Sequence, residues 1–304
     1  MGSLMLLDTA SLYFRAFYGV PETLTAPDGT PVNAVRGLLD MITRLVRARH
    51  PDRLVACLDA DWRPQWRADA IPSYKAHRAE PDGTEQVPPA LAVQIPLITQ
   101  LLDAAGIAIA EHAGYEADDV IATLAARSQT PVDVVTGDRD LFQLVDDERR
   151  VRVLYTVKGF GRLEAIDEAE VAKKYDIPGR AYVDFAVLRG DPSDGLPGVP
   201  GIGEKTAAAL IRAFGSIDEI KNALDLGHGG FPTGTRKKLE AARGYLDVAP
   251  KVVRTATDVP LPDVDGTLPA RPPDPDLLAE IGAALGLGSS LTRFRATVTA
   301  AVTE

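Results

Sequence analysis

The chain has one cysteine, Cys57, in 304 residues. A single thiol closes no internal disulfide, so the core and polar pairs must hold the fold. Long apolar runs are missing as well. No stretch approaches the about 18 residues that a membrane span requires, and the opening MGSLMLLD is interrupted at Asp8 without a basic leader. These absences predict a cytoplasmic chain with no membrane insertion. Aromatic residues make up only 6%, and bases are outnumbered, 33 Lys and Arg against 43 Asp and Glu, for a formal charge of -10. Taken alone, that sum argues against a polyanionic partner.

What is present is enough apolar material for a real core: 45% of residues are hydrophobic, which suits one large or two moderate lobes. The charge is also unevenly spread. Residues 200–254 carry nine bases, from Lys205 to Arg254, against six acids. Excess acid lies instead between 116 and 140 and in a tail, 258–275, rich in Asp and Pro. A basic run of this size on its own reads as a solvated helix face.

Short apolar runs at 4–7, 53–59, 107–110, 132–138 and 151–156 read as buried strands, and 34–49, 90–105 and 117–127 show helical spacing between them. Such alternation predicts an α/β fold with a mainly parallel central sheet flanked by helices. Beyond about 165, helical segments at 168–175, 180–190, 204–214, 216–224 and 234–243 follow one another across Gly and Pro turns. They predict a helical second lobe. The expected division is 1–165 for the α/β core, 166–257 for the helical lobe and 258–304 for a C-terminal segment packing on the core.

The acids fall on this scaffold in a pattern. Asp8 follows the first strand, Asp59 ends the second, Glu116, Asp118 and Asp119 open a helix, and Asp138 and Asp140 follow the fourth strand. In an open parallel sheet these positions share the carboxyl edge, where ligands bind. Any one of them alone reads as a helix cap or first-turn acid. Together, without compensation, they would shift one another's pKa and destabilise the fold. Divalent cations resolve the repulsion, and a set of carboxylate and water suits Mg²⁺ or Mn²⁺ rather than Zn²⁺.

Two more acids, Asp191 and Asp194, stand in RGDPSDGLPGVPGIGEKTAAALI (189–211). A phosphate-binding P-loop is excluded because Glu204 precedes Lys205, and a dinucleotide fingerprint fails at Thr206. The Gly and Pro turn running into a helix fits a helix-hairpin-helix element, whose exposed backbone N–H groups grip a phosphate of a DNA strand. Gly201, Gly203, Lys205 and Thr206 are the candidate DNA-binding residues there. The plain alternative is a tight turn between packed helices.

With these residues in hand, the chain resembles the bacterial 5′ nuclease family, which includes flap endonucleases and the 5′ exonuclease domain of DNA polymerase I. DTASLYFRAF, SYKAHR, GYEADDVIATLA, TGDRDLFQL and GDPSDGLPGVPGIGEKTA carry the resemblance, from about residue 4 to about 255. It implies a PIN-like core, a stand-alone and monomeric nuclease, and a substrate of DNA with a 5′ flap or 5′ end at a duplex junction, RNA primers included. It further implies Asp8, Asp59, Glu116 and Asp118 as inner metal ligands, with Asp119, Asp138, Asp140, Asp191 and Asp194 completing the cluster for two or more ions. Lys75 and Arg78 match a basic pair at the base of a helical arch, expected over about 72–95, and Arg15 matches a further basic position facing the phosphate. Tyr74 is a candidate to stack on a nucleobase, and a monovalent cation such as K⁺ is a candidate at the hairpin turn.

Three departures from the family pattern stand out. Gly195 replaces a frequent Asn, Thr9 replaces a frequent Gly, and DADWRPQWR (59–67) is one residue longer than usual. Competing readings are a haloacid-dehalogenase phosphatase, a small four-acid ribonuclease and a non-catalytic DNA-junction binder. The first needs an Asp where Ala10 stands, and the second lacks a hairpin lobe. The third leaves the acids unexplained, since carboxylates near a phosphate backbone weaken binding unless metals neutralise them.

Overall fold

The run LMLLD forms the first strand, β1 (Leu4–Asp8), which is buried throughout because helices cover both faces of the sheet. In the computed structural model, which describes residues 2–157 and 162–300, it lies inside a six-stranded sheet of order β3-β2-β1-β4-β5-β6. The other strands are β2 (Arg53–Cys57), β3 (Ala108–Ala110), β4 (Val132–Thr136), β5 (Val151–Tyr155) and β6 (Glu164–Ile166). All pairings are parallel except β5 with β6. The sheet is therefore mainly parallel, as expected. β6 has only three residues at an edge, too short to stand out in the sequence.

Register explains the site. Asp8 is opposite Cys57 and Leu7 is opposite Val135, so β1, β2 and β4 finish nearly level. The strands stop sooner than their apolar runs suggested, at Cys57 and Thr136. Asp59 and Asp138 consequently lie two residues beyond, in the connections, rather than at the strand ends proper.

Alternation along β1 divides the core. Leu4 and Leu6 join an apolar cluster with Val120, Phe185 and Leu246, whereas Met5 and Leu7 join another with Leu38, Leu101 and Phe294. Each fully buried side chain of this size contributes about 1.5–3 kcal/mol. The first cluster runs without a break from the sheet into the helical lobe. The second is closed by the helices Pro275–Ala284 and Gly288–Ala300, which pack on the helices Ile95–Ala104 and Asn33–Arg49 respectively. The last four residues of the segment 258–304 lie outside the described residues.

Several elements differ from expectation for local reasons. The helix expected over 90–105 is two, Pro89–Ala92 and Ile95–Ala104, because Pro96 has no N–H to continue the ladder. Buried Gln94 fills the break: its Oε1 accepts from the Ala34 and Val35 N–H groups, and its Nε2 donates to Asn33 Oδ1 and the Ala90 carbonyl. The helix expected at 234–243 is Thr235–Ala241, and a further helix that was not expected, Arg243–Val253, follows it with Pro250 in its last turn. The segment expected as a helical arch contains only the 3₁₀ turn Ala76–Arg78, an antiparallel bridge between Ala79 and Glu85, and the helix Pro89–Ala92. Pro81, Asp82 and Gly83 interrupt helical periodicity there, and Lys75 itself is left-handed, at φ 50°.

Candidate active site

Backbone N–H groups position three of the carboxylates, Asp8, Asp59 and Asp138. Asp8 caps the helix Thr9–Gly19, its Oδ1 accepting from the Ser11 N–H at 3.0 Å, while its Oδ2 accepts from the Thr136 hydroxyl at 2.6 Å. Thr136 Oγ1 in turn accepts from the Asp138 N–H at 2.8 Å. Asp59 accepts from the Ala117 N–H at 2.7 Å, meeting an otherwise unpaired donor at the start of the helix Ala117–Arg127. Asp138 accepts from the Asp140 N–H at 2.8 Å. The end of β1 is thereby tied to the end of β4, and the connection after β2 to the helix that follows β3.

Asp8, Asp59, Glu116, Asp118, Asp138 and Asp191 line one cavity of about 410 Å³, shared with Lys75 and Arg78. The cluster and the basic pair inferred from sequence thus meet in space. Asp140 and Asp194 do not open into this cavity. They line a space of about 20 Å³ with Asp118, room for roughly one water molecule.

Ion pairing sorts the acids further. Asp119, fully buried, accepts from Arg67 Nη1 and Nη2 at 2.7 Å each, from the Ala256 N–H at 2.7 Å and from the Glu116 N–H at 3.2 Å. Its oxygens are committed to the fold, which corrects the expectation that it completes the metal cluster. Glu116 accepts from Arg67, the Tyr74 hydroxyl and Lys75. Asp191 pairs with Arg139 and Asp194 with Arg78, both at 2.7 Å. By contrast, Asp8, Asp59, Asp118 and Asp138 make no salt bridge among the described residues.

Burial in this setting works against ionisation. It is the largest influence on Asp8, whose pKa rises to about 7 although the Thr136 and Ser11 hydrogen bonds oppose it. Burial likewise raises Asp118 well above the carboxylate range, with the charges of Asp8 and Asp138 adding to the effect. Asp59 is raised by burial against the pull of the Lys75 ammonium. Burial disfavours charge on Lys75 too, but the Glu116 carboxylate overcomes it and raises the lysine well above its ordinary value.

The unpaired carboxylates supply hard oxygen donors turned to one cavity, a set that fits Mg²⁺ or Mn²⁺. Among the described residues, no three acid, His or Cys side chains are grouped to hold one ion by themselves. A fit through one or two carboxylates and water agrees with that spacing, and Mg²⁺ is commonly held so.

Other candidates are placed differently. Tyr74 is 4% exposed with its hydroxyl on Glu116, so its ring is core and not a stacking platform for a base. Arg15 lines a groove with Gly19 and Arg44, with its guanidinium beside Gly137 at the margin of the acidic cavity. Gly195, at φ 68°, explains one departure from the family pattern: a Cβ there would lie 2.1 Å from the Ser73 carbonyl oxygen. At this contact the Ser73 hydroxyl donates to the Gly195 carbonyl and the Lys75 N–H to the Asp194 carbonyl, joining the hairpin lobe to the basic pair. Thr9, another departure, is buried at the start of its helix.

The hairpin leads into the helix Glu204–Phe214, where Gly201, Gly203 and Lys205 are exposed and Thr206 is half-buried. Gly203 caps the helix without a side chain, leaving first-turn N–H groups toward solvent. The Lys238 ammonium donates to the Gly201 carbonyl at 2.9 Å, so this turn carries a cation of its own. Sequence reasoning missed Thr136, Arg67, Arg139 and Lys238. Thr136 and Arg139 lie inside TGDRD and Arg67 closes DADWRPQWR, so only Lys238 fell outside the motifs already under scrutiny.

Residues 3–176 match the N-terminal resolvase-like domain of 5′-3′ exonucleases, and residues 177–276 match their C-terminal SAM fold. A 5′-3′ exonuclease of Streptomyces coelicolor is 60% identical over 302 residues, spanning 97% of this chain and 100% of the relative. One from Mycobacterium tuberculosis is 50% identical over 306 residues, 96% of each chain. DNA polymerase I of Mycobacterium bovis is 40% identical over 278 residues, which is 90% of this chain and 29% of the polymerase. Among solved structures, the T5 D15 protein co-crystallised with metal ions is similar with a TM-score of 0.64, covering 98% of this chain and 99% of that one at 17% identity, a likeness of fold. Both halves of the sequence match in order, and the sheet brings the acids of the first half to one edge: the chain belongs to the 5′-3′ exonuclease family.

Proposed function

We propose that this exonuclease-family chain is a structure-specific 5′ nuclease, hydrolysing phosphodiester bonds beside single-strand/double-strand junctions of DNA, including flaps and RNA primers left by replication and repair. The observation that carries the reading is the set of four carboxylates, Asp8, Asp59, Asp118 and Asp138, that share a cavity with Lys75 and Arg78 but have no salt bridge among the described residues. Those four are assigned to two Mg²⁺ or Mn²⁺ ions, with Glu116 and Asp191 beside them and Asp140 and Asp194 acting from behind Asp118. Bound there, the ions would supply an activated water and neutralise charge on the reacting phosphate.

The chain's own groups do the rest. Lys75 and Arg78 place positive charge where the scissile phosphate enters, and their hold on Glu116 and Asp194 fixes their direction. The helix Glu204–Phe214 and Lys205 hold a backbone phosphate of the duplex arm, which sets the distance from duplex to cut. No monovalent cation is assigned to the turn, because Lys238 already stands on the Gly201 carbonyl. No helix among the described residues is long and apolar enough to cross a membrane, and the reading places a monomer on DNA in the cytoplasm.

The test is cleavage of a 5′-labelled flap, beside single-stranded and blunt duplex controls, with Mg²⁺ or Mn²⁺ and then with chelator. Incision at the junction that requires metal and is lost in Asp138→Ala supports the reading. Tight flap binding without incision would make the chain a junction-binding protein instead.

A further inference from the structure

A second cavity, of about 500 Å³, shares no lining residue with the acidic one. Its aromatic wall comes from Trp66, on the helix Gln65–Ala70, and Tyr115, in the connection leaving β3. Lys251 and Arg254, three apart at the end of the helix Arg243–Val253, form its basic wall. Asp258 is the one carboxylate among the lining residues, so the lining is net positive in a chain of formal charge -10.

The rings are fixed, and the cations are held less tightly, Arg254 acting on Asp184 only through its charge. Trp66 donates its indole N–H to the Gly114 carbonyl at 3.1 Å, and the Arg67 guanidinium lies 4.3 Å from its ring centroid. Tyr115 meets His112 edge-on at 5.6 Å, and its carbonyl accepts from the Asp61 N–H. Lys251 and Arg254 are exposed and make no salt bridge among the described residues. The Lys251 ammonium is 5.9 Å from the Trp66 ring centroid, so a planar group at the indole would meet a cation as well.

We propose that this cavity binds one or two nucleotides of an unpaired DNA strand, as a contact separate from the acidic cavity. Rigid aromatic faces take bases of any sequence, and neighbouring ammonium and guanidinium groups take the phosphates. An acidic peptide would use the cations and leave the rings without a matching partner. The inference rests on the nuclease reading, and the structure links the two cavities. Tyr115 directly precedes Glu116, and Arg67, beside Trp66, is paired with Glu116 at 3.1 Å.

The sequence provides the probe, since Trp62 and Trp66 are the only tryptophans and Trp62 lines the acidic cavity. In a Trp62→Phe protein with chelator, a single-stranded oligothymidylate should quench Trp66 emission saturably and more weakly as salt rises. Lys251→Gln with Arg254→Gln should weaken that binding about tenfold at an unchanged melting temperature. No quenching at saturating oligonucleotide, or equal affinity in the double variant, overturns the proposal. Stronger quenching by an oligoglutamate peptide than by the oligonucleotide also overturns it. Flap cleavage by the wild-type chain separates the two ideas: cleavage without quenching rejects this contact and leaves the nuclease reading standing, while absence of both rejects both.

Discussion

Arg67 and Asp119 meet through two parallel hydrogen bonds of 2.7 Å with both side chains almost wholly buried. Arg67 also donates to the Val252 carbonyl, so one guanidinium ties the helix after β2 to the helix after β3 and to the end of the helical lobe. Removing Asp119 leaves the buried guanidinium with only the Glu116 carboxylate, at 3.1 Å, and breaking a buried pair costs up to about 3–5 kcal/mol. Asp119→Ala should therefore lower the urea midpoint sharply. Asp138→Ala, which removes a repelling carboxylate, should leave it level or raise it in chelator. Equal losses in both variants would show that Asp119 is no more structural than its neighbours.

The basic pair should act on rate. Replacing Lys75 and Arg78 with Ala together should reduce single-turnover cleavage by more than it weakens flap binding, because charge develops on the phosphate in the transition state. Each tenfold loss in rate corresponds to about 1.4 kcal/mol of barrier. A change in affinity alone would show these residues to be a binding clamp.

Gly195 should resist substitution. A side chain there combines a left-handed backbone with a 2.1 Å approach to Ser73, and strain of this kind costs on the order of 1–3 kcal/mol. Gly195→Ala should lower stability by that amount and also slow cleavage, since the same contact orients Lys75 and Arg78. Full activity and stability would mean the turn relaxes freely.

Stability should depend on pH through Asp8. Its carboxyl binds a proton more tightly in the folded chain, with a pKa of about 7, than at the ordinary value of 3.8. This contribution is complete below about pH 4 and is lost as the pH rises through 7. In chelator the melting temperature should fall between about pH 4 and 7, with Asp8→Asn flattening the fall and Mg²⁺ restoring stability at pH 8. A flat wild-type profile would count against this burial of charge.

Lys205 should contribute a phosphate contact. Lys205→Ala should weaken binding to long duplex arms irrespective of sequence, with the log-log salt slope reduced by about one. Identical slopes for variant and wild type would remove Lys205 from the interface.

Much of this site was legible because strand ends and helix starts can be located from apolar periodicity, and Asp8, Asp59, Asp118 and Asp138 occupy such places. Partner choice was not. Asp118 and Asp119 are adjacent and alike in sequence, yet only Asp119 faces Arg67, from which it is separated by 52 residues. Tyr74 looked available for stacking because nothing local reveals that its hydroxyl reaches Glu116. The role of Gly195 depends on Ser73, which becomes a neighbour only when the lobe folds against the core. Pro250 obscured the helix Arg243–Val253, although a last-turn proline interrupts little of it.

The hydroxyl of Thr136 has a single proton, and its oxygen already receives the Asp138 N–H. That proton therefore points one way, to Oδ2 of Asp8. An acid proton on Asp8 then belongs on the other oxygen, the one that caps Ser11, and a protonated oxygen is the poorer acceptor. Each gain or loss of a proton at Asp8 is thus felt in the first turn of the helix Thr9–Gly19, whose grip on its own carboxylate tightens only as the charge appears.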